Sequence, residues 1–244
     1  MTRKTLFSRR DILGAIGFLT VGLWAGSSFQ APRAQAREKN KAEASMKLPE
    51  PRHDRKISLE ESLRERRTVR SFKPDALTLD HLSQLLWAAQ GVTDERGFKR
   101  AAPSAGALYP MDVYAVIGET SVTGLEAGIY HYQPKGHSLS RLTGGDLRDA
   151  LARSSLGQMW MARAPVNLVI TAEYARICGK YGDRGVRYAM IEAGHVGQNI
   201  FLQAEACGLG AGIVGAFQDR KVVDVMKIPR LHEPLLIMPV GYKG

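Results

Sequence analysis

Cysteine is nearly absent from this chain. Among its 244 residues there are two, Cys178 and Cys207, and neither lies in a C-x-x-C pair, so no zinc or iron–sulfur ligand set is supported. The six histidines fall in no H-E-x-x-H or related spacing. Neither G-x-G-x-x-G after a first strand nor G-x-x-x-x-G-K-[ST] occurs, which argues against Rossmann and P-loop nucleotide sites. There are no internal repeats, and no nucleic-acid motif accompanies the net charge of +10. The apolar run that ends near Gly26 is short and diluted by glycine, a poor match to a membrane span.

Residues 1–36 carry the signs of a targeting segment. A basic start (Arg3, Lys4) leads to Ser8-Arg9-Arg10-Asp11, then the apolar run, then Ala34-Gln35-Ala36, an A-x-A cleavage pattern. Paired arginines before a glycine-containing apolar run resemble a twin-arginine signal, which exports folded proteins to the periplasm. The alternatives are an ordinary Sec signal or an uncleaved anchor that leaves the protein membrane-attached. Without residues 1–36, which hold five Lys/Arg and one acidic residue, 29 basic and 23 acidic residues remain, a net charge of +6. That mild excess suits an anionic ligand or a nearby membrane surface, and most of it reads as solvated surface. Residues 37–56 are charged, poor in large apolar side chains and carry Pro49 and Pro51, so they read as a flexible linker. The folded domain is expected over 57–244, a length sufficient for one real core at 44% hydrophobic residues.

Within that domain, Ser58 caps a short helix over 59–67, and Thr78 caps a second whose apolar face is Leu79, Leu82, Leu85, Leu86 and Ala89, ended by Gly91. Residues 92–101 read as a polar loop, and 102–110 as a small-residue loop or short helix. Strands are expected over 111–117, 128–133, 165–172 and 235–240, the third near-continuously apolar and therefore central. Helices are expected over 146–154 and 219–226. The pattern is α+β, helices around a central sheet.

The most informative stretch is 187–217. Ala189, Ala193, Val196, Ile200, Ala204 and Cys207 recur at helical spacing, and Met190, Gly197, Phe201 and Leu202 extend the apolar surface, so the helix must be covered on several sides. His195 within it reads as a structural histidine. Gly194 and Gly197 cost about 1 kcal/mol each relative to alanine, which makes sense where something approaches closely. Gly208 is the left-handed residue past the helix end. A glycine-rich strand over 211–217 then offers backbone rather than side chains, as the polar edge of a planar heterocycle requires. A tightly packed helix–turn–strand without any ligand fits these residues equally well. Cys207 packs as a small hydrophobe, although in an exported chain it could join Cys178.

Arg66, Arg67 and Arg70 flank Thr68. Guanidinium forks hold phosphate oxygens bidentately, and a hydroxyl with backbone N–H groups completes such a cradle. Alone, this cluster reads as an exposed helix end. Together with the loop Pro103-Ser104-Ala105-Gly106 and the glycine-rich strand, it meets the needs of a mononucleotide whose flat ring lies against backbone.

The segments ERRTVRSF, PSAGALYP, KYGDRGVRY and EAGHVGQNIFLQAEACGLGAGIVGAF, in this order, resemble the FMN-dependent nitroreductase superfamily, most closely the SagB-type dehydrogenases that include azoline oxidases of peptide natural products. The resemblance runs from about Leu59 to Gly244. It implies a nitroreductase-like fold, a mostly antiparallel sheet flanked by helices, and a homodimer with FMN at the interface and the long helix as its spine. By position, Arg66, Arg67, Thr68 and Arg70 would hold the phosphate and ribityl end. Pro103, Ser104, Ala105 and Ala107 would touch the ring from the other subunit, and Val214, Gly215 and Ala216 would lie against the ring edge. Lys243 stands as a candidate for the basic residue that reaches the phosphate in relatives. Ala107 and Tyr109 replace the Asn and Gln common in nitroreductases, in keeping with the dehydrogenase branch.

Lys180-Tyr181 matches the acid/base pair of the azoline-oxidising relatives; the other reading makes both residues ordinary surface loop. Three functions follow: an exported FMN oxidoreductase whose electron partner is a quinone, a redox protein or oxygen; an azoline-type dehydrogenase acting on a modified peptide; and a non-catalytic flavin-binding or docking protein. The lid that sets acceptor choice is expected at 93–100 or 154–164.

Overall fold

The computed structural model describes residues 45–54 and 56–244. The expected signal peptide and residues 37–44 lie outside the described residues.

In chain order the elements are β1 (Ser45–Lys47), α1 (Leu59–Glu65), α2 (Leu79–Gln90), β2 (Met111–Ile117), β3 (Gly128–Gln133), β4 (Ser138–Gly144), α3 (Arg148–Ser154), β5 (Val166–Ala172), α4 (Ala175–Tyr181), α5 (Arg184–Ala206), β6 (Gly210–Ala211), α6 (Asp219–Met226) and β7 (Glu233–Gly241). Single 3-10 turns cover Ala105–Ala107 and Met159–Arg163. The strands form one sheet in the order β1-β4-β3-β2-β5-β7-β6, every neighbouring pair antiparallel. The α+β expectation and the antiparallel sheet both stand.

Helix starts follow the capping residues. Ser58 Oγ accepts the Glu61 amide at 3.0 Å and Thr78 Oγ1 the His81 amide at 3.1 Å, each worth about 1 kcal/mol. Gly91 ends α2 for a reason other than left-handed geometry: its φ is −62°, and a side chain there would strike the Trp87 ring. Gly208, at φ +70°, does take the left-handed conformation past α5.

The sheet has a core on each face, because side chains alternate along its strands. From β2, Met111, Val113, Ala115 and Ile117 join Leu82, Leu85 and Leu86 of α2 and Ala189, Ala193, Val196, Ile200 and Ala204 of α5. On the opposite face Tyr114 and Val116 pack with Leu151 of α3 and Val222 and Met226 of α6. Strand β5 is buried along its whole length and paired on both sides, as its apolar run predicts.

Four expectations change. The ordered body begins before Ile57, since Ser45–Lys47 pairs with β4 and Leu48 is buried. Helix α1 stops at Glu65 rather than at Arg67; Arg66 leaves helical geometry at ψ 122°. The strand expected over 211–217 shrinks to Gly210–Ala211, after which Gly212 N donates to Pro239 O at 2.8 Å and Val214 exchanges paired bonds with Ile237 of β7. Lys180 and Tyr181 stand at the end of a helix rather than in a loop. Both cysteines are free thiols.

Helix α5 is buried on one side only. Met190 and Ile191 are 54% and 51% exposed, His195 faces solvent, and Leu59 and Leu63 of α1 add further exposed apolar surface. Among the described residues, therefore, His195 does not fill the structural role expected of it. Gly197 packs closely, a methyl there reaching 3.3 Å from Leu236, whereas Gly194 meets nothing.

Candidate active site

The chain beyond α1 runs extended beside β6. Val69 N donates to Ala211 O at 2.9 Å, and Thr68 pairs with Ala211. The approach is close enough to require glycine: a methyl at Gly210 would lie 2.7 Å from Val69 Cγ2, and one at Gly212 2.8 Å from Val69 O and from the Trp160 ring. Arg66 thereby lies over the Phe201 ring of α5 at 5.2 Å and Arg70 over Trp160 at 5.8 Å. Among the described residues none of Arg66, Arg67 and Arg70 forms an ion pair. Arg67 bends back, donating from Nη1 to Arg64 O at 2.7 Å and Arg66 O at 2.9 Å, where a cation suits the C-terminal end of a helix. Val214 is buried, but Gly215 and Ala216 are exposed, and a methyl at Gly215 would meet nothing within 4 Å. Exposed backbone at Gly215 and Ala216 thus continues the segment that Thr68 and Val69, between Arg66 and Arg70, pack against. Lys243 reaches the same neighbourhood, but its Nζ pairs with Glu205 at 2.5 Å, so its charge is already matched.

The Pro103–Ala107 segment lies elsewhere on α5. Ser104 Oγ accepts the Tyr109 amide at 2.9 Å and folds the segment into a tight loop. Ala107 and Tyr109 take φ of +53° and +47°, a conformation costing roughly 1–2 kcal/mol for each residue other than glycine. Arg100 clamps Tyr109, its guanidinium 4.4 Å from the ring centroid. Lys180 and Tyr181 meet this loop: a methyl at Gly106 would lie 2.7 Å from Tyr181 Oη and 3.1 Å from Lys180 Nζ. Tyr181 in turn packs edge-on against Tyr188 of α5 at 5.1 Å.

The expected residues therefore form two sets. The loop at 103–107 and Lys180-Tyr181 face the N-terminal half of α5 around Tyr188 and Glu192, whereas Arg66 lies over Phe201 further along the helix. Glu192 and Phe201 are about 14 Å apart along the helix axis at 1.5 Å per residue. The two candidate lids divide likewise: 93–100 adjoins the first set through Arg100, and 154–164 adjoins the second through Trp160.

One cluster escaped the sequence reading. Arg176, in the first turn of α4, pairs with Asp112 of β2 at 2.8 Å and Glu173 at 2.6 Å. His131 Nε2 lies 2.9 Å from Asp112 Oδ1, and Tyr114 Oη 2.6 Å from His232 Nδ1. The only hint in the sequence was an aspartate within an apolar strand. Asp112, Glu173 and His232 offer ligand atoms within 4.8 Å of one another, but Arg176 already supplies the balancing positive charge. Burial alone would raise the Asp112 carboxyl; the His131 hydrogen bond, Arg176 and the two imidazoles together hold it below the usual range. Burial pushes His232 down.

Because α4 has no side-chain N-cap, this ion pairing anchors its first turn. Arg176→Met should therefore cost about 2–3 kcal/mol in urea unfolding at neutral pH, less than a fully buried pair because the guanidinium is a third exposed. A depressed folded pKa stabilises above the unfolded carboxyl pKa, and that contribution is lost as pH falls through the folded value. The difference between variant and wild type should shrink in acid; an equal deficit at both pH values would refute the anchoring role.

The chain thus sets an antiparallel sheet between helical layers, with a strained loop at one end of α5 and guanidiniums at the other. The model of the nitroreductase family matches residues 63–242, and this chain belongs to that family. A Methanocaldococcus jannaschii protein named as a nitroreductase is 48% identical over 187 residues, 77% of this chain and 92% of its own length. A solved structure from Ralstonia eutropha JMP134, also named as a nitroreductase, superposes with a TM-score of 0.72 at 31% identity, covering 82% of this chain and 90% of that one. The microcin B17-processing protein McbC of Escherichia coli is 28% identical over 169 residues, 68% of this chain and 62% of McbC. Members of the family typically use flavin.

Proposed function

We propose that the protein is an exported, homodimeric FMN-dependent oxidoreductase that passes electron pairs between a reductant and an acceptor of the quinone or redox-protein class. One observation carries this reading: Arg66 and Arg70, without carboxylate partners among the described residues, flank the Thr68–Val69 segment that pairs with Ala211, from which the chain runs on to exposed backbone at Gly215 and Ala216. Such a cradle fits a phosphate tail and the polar rim of a flat ring. Arg66 and Arg70 would hold the phosphate with Thr68 beside them, and the exposed backbone at Gly215 and Ala216 would meet the ring edge, the Val214 N–H and C=O being taken by Ile237. FMN, when bound, supplies the hydride chemistry.

The dimer follows from how the two sets of residues sit on α5. Met190, Ile191, Leu59 and Leu63 are apolar side chains that the described residues leave uncovered. Pairing two α5 helices antiparallel about a two-fold axis would bring the Pro103–Ala107 loop of one copy to the arginines and Gly215 of the other. Export separates the enzyme from cytosolic nicotinamide cofactors, which favours a quinone or redox protein as its partner.

A second reading, an azoline-type dehydrogenase, draws on Tyr181 Oη and Lys180 Nζ standing against Gly106. There Tyr181 or Lys180 would take the substrate proton as hydride leaves for the ring.

The test starts from the visible spectrum of purified protein. A flavin spectrum that dithionite bleaches and menadione restores is expected; bleaching that no acceptor reverses would favour a flavin-binding protein without turnover. A synthetic thiazoline peptide separates the two enzymes. If the second reading holds, Lys180→Met with Tyr181→Phe slows its oxidation by about 10²-fold or more, and an unchanged rate removes the acid/base role.

A further inference from the structure

Among the described residues one carboxylate is fully enclosed: Glu192 of α5, 1% exposed. Its Oε1 accepts from Gln90 Nε2 at 3.2 Å, and Gln90 Oε1 accepts from Arg100 Nη1 at 3.1 Å. Its Oε2 is buried and accepts no hydrogen bond of ordinary geometry. Glu192 lines a cavity of about 280 Å³ with Pro103, Ser104, Ala105, Ile191 and His195. Arg100, the cation on its side, reaches it through Gln90 rather than by direct pairing. The other polar groups around it are Ser104 and Tyr109 of the loop, and Tyr188 and His195 of its own helix. Burial raises its pKa, and the Ser104 hydroxyl, the Gln90 amide and the Arg100 charge oppose that rise without cancelling it.

We infer that Glu192 is a proton-coupling residue, a carboxylate behind the Ser104 loop that takes up a proton when the flavin on that loop is reduced and releases it on reoxidation. The inference rests on the FMN reading above. An anionic ligand drawing near a half-satisfied carboxylate favours its neutral form. Oxidised flavin accepts an electron pair and one proton and becomes an anion, while a second proton passes from water to the Glu192 carboxylate. When an acceptor of the quinone class removes the pair, the flavin gives up its proton and Glu192 returns the other to water. Over the pH range between its pKa values in the two redox states, the holoprotein takes up one more proton per electron pair than the flavin alone requires.

Spectroelectrochemical titration of the FMN-loaded protein across a pH series reads this count from the slope of midpoint potential against pH. Glu192→Gln keeps the shape and the Gln90 contact, and should lower the count by one in that range. Ser104→Ala removes a group that lowers the Glu192 pKa and should shift the range to higher pH; it carries the test alone if the glutamine variant fails to fold. His195→Gln should behave as wild type. A wild-type proton count in Glu192→Gln, no shift in Ser104→Ala, or loss of the extra proton in His195→Gln would each overturn the assignment. A protein that takes up no flavin when supplied with it defeats the FMN reading instead, and is recognised by its lack of colour before any potential is measured.

Discussion

Aspartates in place of Met190 and Ile191 are expected to leave a folded monomer that holds no flavin. Both side chains are more than half exposed in the single chain, so their exchange should move the stability of the fold by no more than about 0.5 kcal/mol. In a dimer built on α5 the same positions fall at the centre of the interface. Losing two apolar anchors there costs about 2 kcal/mol each, and enclosing two carboxylates without partners adds several more. A loss of 4 kcal/mol already weakens association about 10³-fold. Sedimentation equilibrium should show a dimer for the wild type and a monomer for the variant. The ratio of visible to ultraviolet absorbance should fall as the dimer is lost, because the loop at 103–107 then has no arginine cradle opposite it. A flavin-loaded dimer would remove α5 from the interface. A flavin-loaded monomer would show that one chain builds the whole site.

The same helix shows how far the sequence could be read. Periodicity identified the buried face of α5 correctly, since Ala189, Ala193, Val196, Ile200 and Ala204 all lie in one core. It also led to the expectation that the helix is covered on several sides, because an apolar residue facing outward has the same spacing signature as one facing the sheet. Caps at Ser58 and Thr78 were legible because a side-chain oxygen three residues before an amide is a local device. The glycine segment was misjudged in form: Gly210 and Gly212 are small because Val69 and Trp160 press on them, a contact made across the fold that leaves no local periodicity. Strand β4 escaped because Ser138–Gly144 buries only Leu139 and so lacks alternation. The Asp112–Arg176 pairing joins residues from distant segments, and neither carries a neighbouring motif. Lys243 shows the limit of carrying a role over by position, since its charge has a partner in Glu205 that only the fold supplies.

Removing Arg66 and Arg70 together should abolish FMN retention while sparing affinity for riboflavin. Among the described residues the two guanidiniums carry no ion pairs, so an arriving phosphate would be their charge partner. Truncating a hydrogen-bonded charge pair costs about 2–5 kcal/mol, so the double alanine variant should bind FMN at least about 10³-fold more weakly. Riboflavin has the ring without the phosphate, and its affinity should change little, because the backbone at Gly215 and Ala216 is untouched. Arg67 is the internal control. Its guanidinium already donates to Arg64 O and Arg66 O at the end of α1, so Arg67→Ala should cost about 0.3–1 kcal/mol of stability and much less affinity. The cation–π contacts of Arg66 with Phe201 and Arg70 with Trp160 are worth about 0.5–1 kcal/mol each, so some destabilisation will accompany the double variant. That loss falls equally on both ligands, and the ratio of FMN to riboflavin affinity cancels it. An unchanged ratio would mean that the guanidiniums do not read the phosphate, and the open edge at Gly215 would need a different occupant.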